Sequence, residues 1–190
     1  MGDMFSQPAH IVAQNLIGCR FLVDGCGGLI VETEAYEADD PASHSFRGPT
    51  TRNKSMFGRP GTAYVYRSHG LHWCLNFVCT PGSAVLLRAL EPRWQVDVMR
   101  QRRGRWGDPR ELCSGPGKLT SALKIGGELD GLPLDRPPFE LTLERGSDVD
   151  IVNGTRVGIS RGTDVAWRFG LAGSPFLSVR FPRPPTRAGD

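Results

Sequence analysis

Long apolar runs are missing from this 190-residue chain, as are paired cysteine motifs, a signal-peptide layout and any large excess of charge. Each absence closes a class of function. No window approaches the roughly 20 apolar residues that span a bilayer, so no membrane partner is expected. Met1 to His10 lacks the charged-then-apolar layout of a secretory leader, so an intracellular location is expected: cytoplasmic and close to the nucleoid if the source is bacterial. The five cysteines, Cys19, Cys26, Cys74, Cys79 and Cys113, are odd in number and contain no Cys-x-x-Cys spacing. That argues against a disulfide framework and a ribbon-type zinc site, and leaves buried free thiols as the expectation. No metal and no other cofactor is called for. Lysine is scarce, three residues among 23 basic ones, so the net charge of +3 rests on arginine. Arginine suits planar, bidentate contacts to phosphate, which permits a nucleic-acid partner without requiring one.

What is present is a chain of one-domain length with punctuated short elements. Apolar spacing at Ile11, Val12, Leu16 and Ile17 predicts a helix closed by Gly18, followed by a strand over Arg20 to Val23. Gly25, Gly27 and Gly28 mark a turn, and Leu29 to Tyr36 the next strand. Asp39 to Asn53, crowded with Pro, Gly, Ser and Asp, is a long loop of the kind that often carries function. Ala63 to Arg67 and Leu71 to Val78 predict a β-hairpin around Ser68-His69-Gly70, and Ala84 to Leu90 a further strand. Val96 to Arg103 has helical spacing with Arg100, Arg102 and Arg103 on it; a solvated face and a phosphate-contacting surface are equally good readings. Ser114-Gly115-Pro116-Gly117-Lys118 opens a helix through Leu123. It is no Walker A loop, because the first glycine of that motif would fall on Leu112, although free N–H groups at a helix start can hold a phosphate. Later strands are predicted at Phe139 to Leu143, Val157 to Ile159 and Leu177 to Arg180. A single domain over residues 1–181 with a proline-rich, disordered tail at 182–190 is the expected organisation.

The densest chemistry lies in Ile30-Val31-Glu32-Thr33-Glu34-Ala35-Tyr36. In a strand, alternation puts Glu32, Glu34 and Tyr36 on one face and Val31, Thr33 and Ala35 on the other. Two carboxylates beside an aromatic suggest acid/base work on a flat ring, and spacing alone divides that role evenly between Glu32 and Glu34.

With these words on the page, the sequence resembles the alkyladenine (3-methyladenine) DNA glycosylase family of base-excision repair. The matching runs are Val31 to Tyr36, Ala42-Ser43-His44-Ser45, Arg52 to Phe57, Pro60 to Tyr66, Cys74-Leu75-Asn76, Leu86 to Pro92 and Leu112 to Leu119. Arg156 to Ile159, Trp167-Arg168-Phe169 and Ser174-Pro175 match more thinly. The resemblance implies an α+β domain with a curved antiparallel sheet, flanking helices and a protruding hairpin that enters the DNA minor groove. It implies a monomeric, monofunctional glycosylase that flips a damaged purine (alkylated, deaminated or etheno) out of double-stranded DNA and hydrolyses its N-glycosidic bond, leaving an abasic site.

The resemblance also distributes roles. Glu34 matches the general base that activates water, and Arg88 the residue that positions that water; a structural ion pair is the other reading of Arg88. Glu32 becomes a salt bridge beneath the site. Tyr36, His44 and Tyr66 match the rings that sandwich the flipped base, residues that spacing alone would make structural. Ala42 and His44 match the loop that meets the base edge, and Asn76 the residue that crowds the exocyclic amine of guanine, its alternative being a buried amide paired with backbone. Arg52, Arg67, Ser114 and Lys118 would contact the DNA backbone. The family's usual tyrosine wedge is here His69, smaller and more polar, with Arg67 and Leu71 as neighbours able to share the role. Three rival classes remain. One is a non-catalytic binding protein for damaged nucleic acid, favoured by the altered wedge. Another is a metal hydrolase using His10, His44, His69 or His72, for which no ligand spacing speaks. The last is a formyltransferase-like domain of related fold.

Overall fold

A computed structural model describes residues 2–146 and 149–182 of the chain. Helices α1 (Gly2–Phe5) and α2 (Ala9–Leu16) lead into strands β1 (Arg20–Val23) and β2 (Cys26–Tyr36). A 3-10 turn at Lys54–Phe57 precedes the hairpin β3 (Ala63–Ser68) and β4 (His72–Val78), then β5 (Ala84–Trp94). Helices α3 (Val96–Arg103) and α4 (Pro116–Leu123) follow, with β6 (Phe139–Thr142), β7 (Ile151–Gly154) and β8 (Arg168–Leu171) completing the fold. All pairings between these strands are antiparallel, in the order β3-β4-β5-β2-β1-β6. β8 joins the C-terminal half of β2 and carries β7 on its other edge. This is the mixed α+β domain on an antiparallel sheet that the resemblance implies.

The core lies on one face of the sheet, where Val12 and Leu16 of α2 meet Phe21, Phe77, Leu87 and Leu90, all fully buried. Thr33 faces the same side and donates to the Ala13 carbonyl at 2.9 Å. Glu32 and Glu34 therefore face the other side, as alternation requires. Val31 departs from the expected pattern. Ile30 pairs with Leu90 but Glu32 with Ala89, so Val31 is an extra residue, and the next step on β5 skips Arg88 in turn. The paired irregularities return both strands to register and leave Arg88 beside the two glutamates.

Gly27 and Gly28 lie inside β2 rather than in the predicted turn, which is Asp24-Gly25. A Cβ on Gly27 would stand 2.1 Å from the Phe21 carbonyl oxygen and one on Gly28 1.9 Å from that of Glu91. The glycines are there because the neighbouring strands come too close for any side chain.

Two predicted strands are corrected. Val157 to Ile159 and Leu177 to Arg180 form none; the strands of this region are Ile151–Gly154 and Arg168–Leu171. The two irregular segments instead turn their backbone N–H groups onto the buried glutamates, since Val157 N donates to Glu34 and Ser178 N to Glu32. Of the predicted tail, Pro182 carries no regular structure and 183–190 lie outside the described residues. The five cysteines are free and buried. Within α3, Arg100 pairs with Asp97 at 2.8 Å and Arg102 donates to the Ala122 carbonyl at 3.1 Å, so part of that basic cluster serves the fold. Among the described residues no helix is long and apolar enough to cross a membrane, and no group of three or more His, Cys, Asp or Glu is placed to hold a metal.

Candidate active site

Opposite the core, the sheet floor and its loops enclose an open cavity of about 650 Å³. β2 supplies Glu34 and Tyr36, β3 Tyr64 and Tyr66, β4 Cys74 and Asn76, and β5 Leu86 and Arg88. One wall comes from the loop bearing Ala42 and His44, and the roof from Val157 to Arg161. The glutamate, arginine, tyrosines, histidine and asparagine picked out in the sequence thus converge on one pocket.

Glu34 is fully buried at its floor. Its Oε1 accepts from Val157 N at 2.7 Å and faces Arg88 Nη1 at 3.3 Å; its Oε2 accepts from the Tyr36 hydroxyl at 2.9 Å. Glu34 lines the cavity, and since a carboxylate oxygen offers about two lone-pair directions, its Oε2 can take a further partner. Glu32, also fully buried, does not line the cavity. It accepts from Arg88 Nε at 3.0 Å, Arg168 Nη1 at 3.3 Å, Ser178 N at 2.5 Å and Ser178 Oγ at 2.8 Å. Glu32 anchors the two guanidiniums and Glu34 faces the space above them. Burial works against the Arg88 cation, but Glu34 and Glu32 together outweigh it and raise its pKa.

Aromatic rings line the walls. His44 and Tyr66 meet edge to face with centroids 4.5 Å apart, and Tyr66 stacks on Tyr64 at 5.4 Å. The Tyr64 hydroxyl lies 3.0 Å from His44 Nδ1. Burial, reinforced by nearby Glu34, pushes the Tyr36 hydroxyl well above its ordinary range and keeps it a hydrogen-bond donor. Burial likewise raises Tyr66, with Cys74 beside it adding to the effect. His44 is held below its ordinary value by desolvation of its ring, then by the Arg52 guanidinium.

The long loop is fixed from inside. Asn53 donates to the His44 and Gly48 carbonyls at 2.8 and 3.2 Å, and Ser45 Oγ to the Gly82 carbonyl at 2.5 Å. Asp40 accepts from Ala42 N at 3.0 Å and pairs with buried Arg156 through both oxygens. Among the described residues, the Ala42 carbonyl and the His44 N–H have no backbone partner. Arg156 also stands 4.7 Å from the Tyr36 ring centroid, behind the pocket wall. Asn76 donates to the Tyr64 carbonyl at 3.1 Å, so the backbone-paired reading of this residue holds while its side chain still lines the cavity.

The remaining candidates sit at the rim. His69 is exposed at the hairpin tip and lines the mouth with Ser68 and His72. Arg52 donates to the Arg67 carbonyl at 3.0 Å, and Arg67 lies 5.8 Å from the Trp73 ring centroid. Ser114 accepts from Lys118 Nζ at 3.4 Å at the start of α4, where Gly117 packs against the His72 ring. Sequence reasoning missed Val157, Arg156, Tyr64 and Ser178. The first two fall in a run already noted as a thin match, Tyr64 in a dense one, while Ser178 carries no signal of its own.

Comparisons with known proteins give the family. The description "Methylpurine-DNA glycosylase (MPG)" matches residues 3–175. A Rhizobium meliloti protein named "Putative 3-methyladenine DNA glycosylase" is 59% identical over 179 residues, 94% of this chain and 96% of its own length. Proteins of the same name from Nitrosospira multiformis (58% over 183 residues, 95% and 94% covered) and Agrobacterium fabrum (57% over 179, 94% and 92%) are similarly close. The chain belongs to the methylpurine-DNA glycosylase family, whose members hydrolyse N-glycosyl bonds.

Proposed function

We propose that this protein flips alkylated purines out of duplex DNA and cleaves their N-glycosidic bond with a water activated by Glu34. The observation that carries the reading is a buried carboxylate, held by Val157 N–H, the Tyr36 hydroxyl and the Arg88 guanidinium, at the floor of a ring-lined pocket. A base inside a duplex is out of reach, so the nucleotide is rotated into the cavity at a cost of about a few kcal/mol, least for damaged pairs. Tyr36, His44 and Tyr66 hold it by stacking, worth roughly 1–3 kcal/mol per contact. A cationic alkylpurine gains further from electron-rich ring faces. The Ala42 carbonyl and His44 N–H meet its edge, and Asn76 crowds the exocyclic amine of guanine.

Glu34 then removes a proton from the water as it adds to the anomeric carbon, and its charge stabilises the oxocarbenium-like sugar. Val157 N–H and Tyr36 hold the carboxylate still, and Arg88, clamped by Glu32 and Ser178, positions the water. No lysine lines the pocket, which supports water as the nucleophile over an amine forming a Schiff base. Arg52, Arg67, Ser114 and Lys118 at the rim contact phosphates, and the hairpin tip around His69 supplies the wedge. The enzyme works as a monomer, wherever the cell keeps its DNA, and its range extends to deaminated and etheno purines. A panel of duplexes carrying 3-methyladenine, 7-methylguanine, hypoxanthine or ethenoadenine, read by release of free base, tests the reading. Release from none of them would overturn it.

His44 gives this pocket a pH signature. Because desolvation and then Arg52 hold the His44 pKa below the ordinary value of 6.5, the ring stays neutral through that value, and only more acid conditions, as pH falls through the lowered pKa, place an unfavourable charge against the bound base. Excision of cationic 7-methylguanine is therefore expected to fall faster on the acid side than excision of neutral hypoxanthine. The ratio of the two rates should decline less steeply with acid in His44→Phe, which keeps a ring but not the titration.

A further inference from the structure

The tip of the β3–β4 hairpin points its residues in two directions. The strands stay paired up to Ser68 and His72, leaving His69, Gly70 and Leu71 as the turn. His69 and Gly70 take left-handed backbone (φ 48 and 71), and Leu71 N–H closes the turn on the Ser68 carbonyl at 2.9 Å. Ser68, His69 and His72 line the cavity mouth, whereas Leu71 does not. Leu71 is instead 78% exposed, the most open of the large apolar side chains among the described residues. A leucine left in water forgoes the burial that stabilises most leucines, and this one sits at the apex of the hairpin beside the pocket.

We propose that Leu71, not His69, is the wedge that enters the base stack when a nucleotide is rotated out, and that His69 stays at the pocket rim against the sugar-phosphate of that nucleotide. The inference rests on the glycosylase reading above. A flipped nucleotide leaves its hole in the stack, beside the pocket rather than in it. The side chain best suited to fill the hole projects from the rim away from the cavity and offers the bases an apolar surface. Leu71 meets both conditions and His69 neither, being polar and part of the cavity wall. Apolar side chains, leucine among them, are what minor-groove proteins insert between base steps. A left-handed φ at a non-glycine residue is uncommon and disfavoured; here that backbone leaves Leu71 at the open end of the turn.

The test uses a duplex with one ethenoadenine, whose fluorescence changes when it leaves the stack. The flipped fraction and the single-turnover rate of base release are both measured for wild type, Leu71→Ala, Leu71→Phe and His69→Ala. Leu71→Ala removes three carbons from the wedge, so its flipped fraction should fall about 10- to 60-fold, with release per flipped nucleotide unchanged. Leu71→Phe should keep flipping near wild type, and His69→Ala should lower flipping less than Leu71→Ala. An unchanged flipped fraction in Leu71→Ala, or a larger fall in His69→Ala, would overturn the assignment of the wedge alone. Failure of the wild type to release base from this duplex and from every other duplex of the panel above would instead overturn the glycosylase reading, and the wedge with it.

Discussion

Replacing Glu34 by glutamine is expected to lower base release by about 10²- to 10⁴-fold, the range a positioned general base supplies, while damaged duplex remains bound. The argument is geometric. Glutamine keeps an oxygen able to accept from Val157 N–H at the position of Oε1, where the native distance is 2.7 Å. Its amide can donate to the Tyr36 hydroxyl, which turns to accept. The fold should therefore tolerate the change, since Arg88 keeps Glu32 as its anchor at 3.0 Å. What disappears is the basic lone pair facing the cavity and the negative charge beneath the sugar. Binding measured by gel shift or anisotropy and release measured in a single turnover separate these effects. Rapid release by the variant would remove Glu34 as the base.

Glu32→Gln should give the opposite pattern. Glu32 is fully buried between Arg88 and Arg168, holds each by one hydrogen bond and accepts two more from Ser178. Removing its charge leaves two buried guanidiniums with too little compensation, a change that costs about 3–5 kcal/mol when one partner of a buried pair is lost. For a chain of this size that lowers the melting temperature by about 6–20 °C. The reaction itself should survive at temperatures where the variant is folded, reduced only as far as Arg88 loses its position. Thermal melting and single-turnover release, measured on both variants, give a crossed result: Glu34→Gln folded and inactive, Glu32→Gln destabilised and partly active. Equal melting temperatures for Glu32→Gln and the native protein would contradict the anchoring role.

The difference between the two glutamates marks the limit of what the sequence discloses. Alternation along β2 put Glu32, Glu34 and Tyr36 on one face, and the structure keeps them there. Spacing could not rank them, because what separates Glu32 from Glu34 is contact with residues more than fifty positions away: Arg88, Val157, Arg168 and Ser178. The strand ends were legible where apolar alternation was strong, as in β3 and β4. They were missed at β7 and β8, which are four residues each and include glycine. Gly27 and Gly28 were misread because close backbone approach and a tight turn draw on the same residue type. The bulge at Val31 leaves no trace in composition, since an extra buried valine looks like any other strand residue. The hairpin was readable from its turn, but the division of its tip between cavity and solvent needed coordinates.

The most direct measurement is a single-turnover reaction of the native enzyme with a duplex containing one 7-methylguanine, in the presence of a chelator and of borohydride. The expected result is free 7-methylguanine, an intact strand that breaks only after alkali, and no protein trapped on the DNA. A borohydride-trapped complex, a strand nicked without alkali, or no free base at all would contradict hydrolysis by a Glu34-held water.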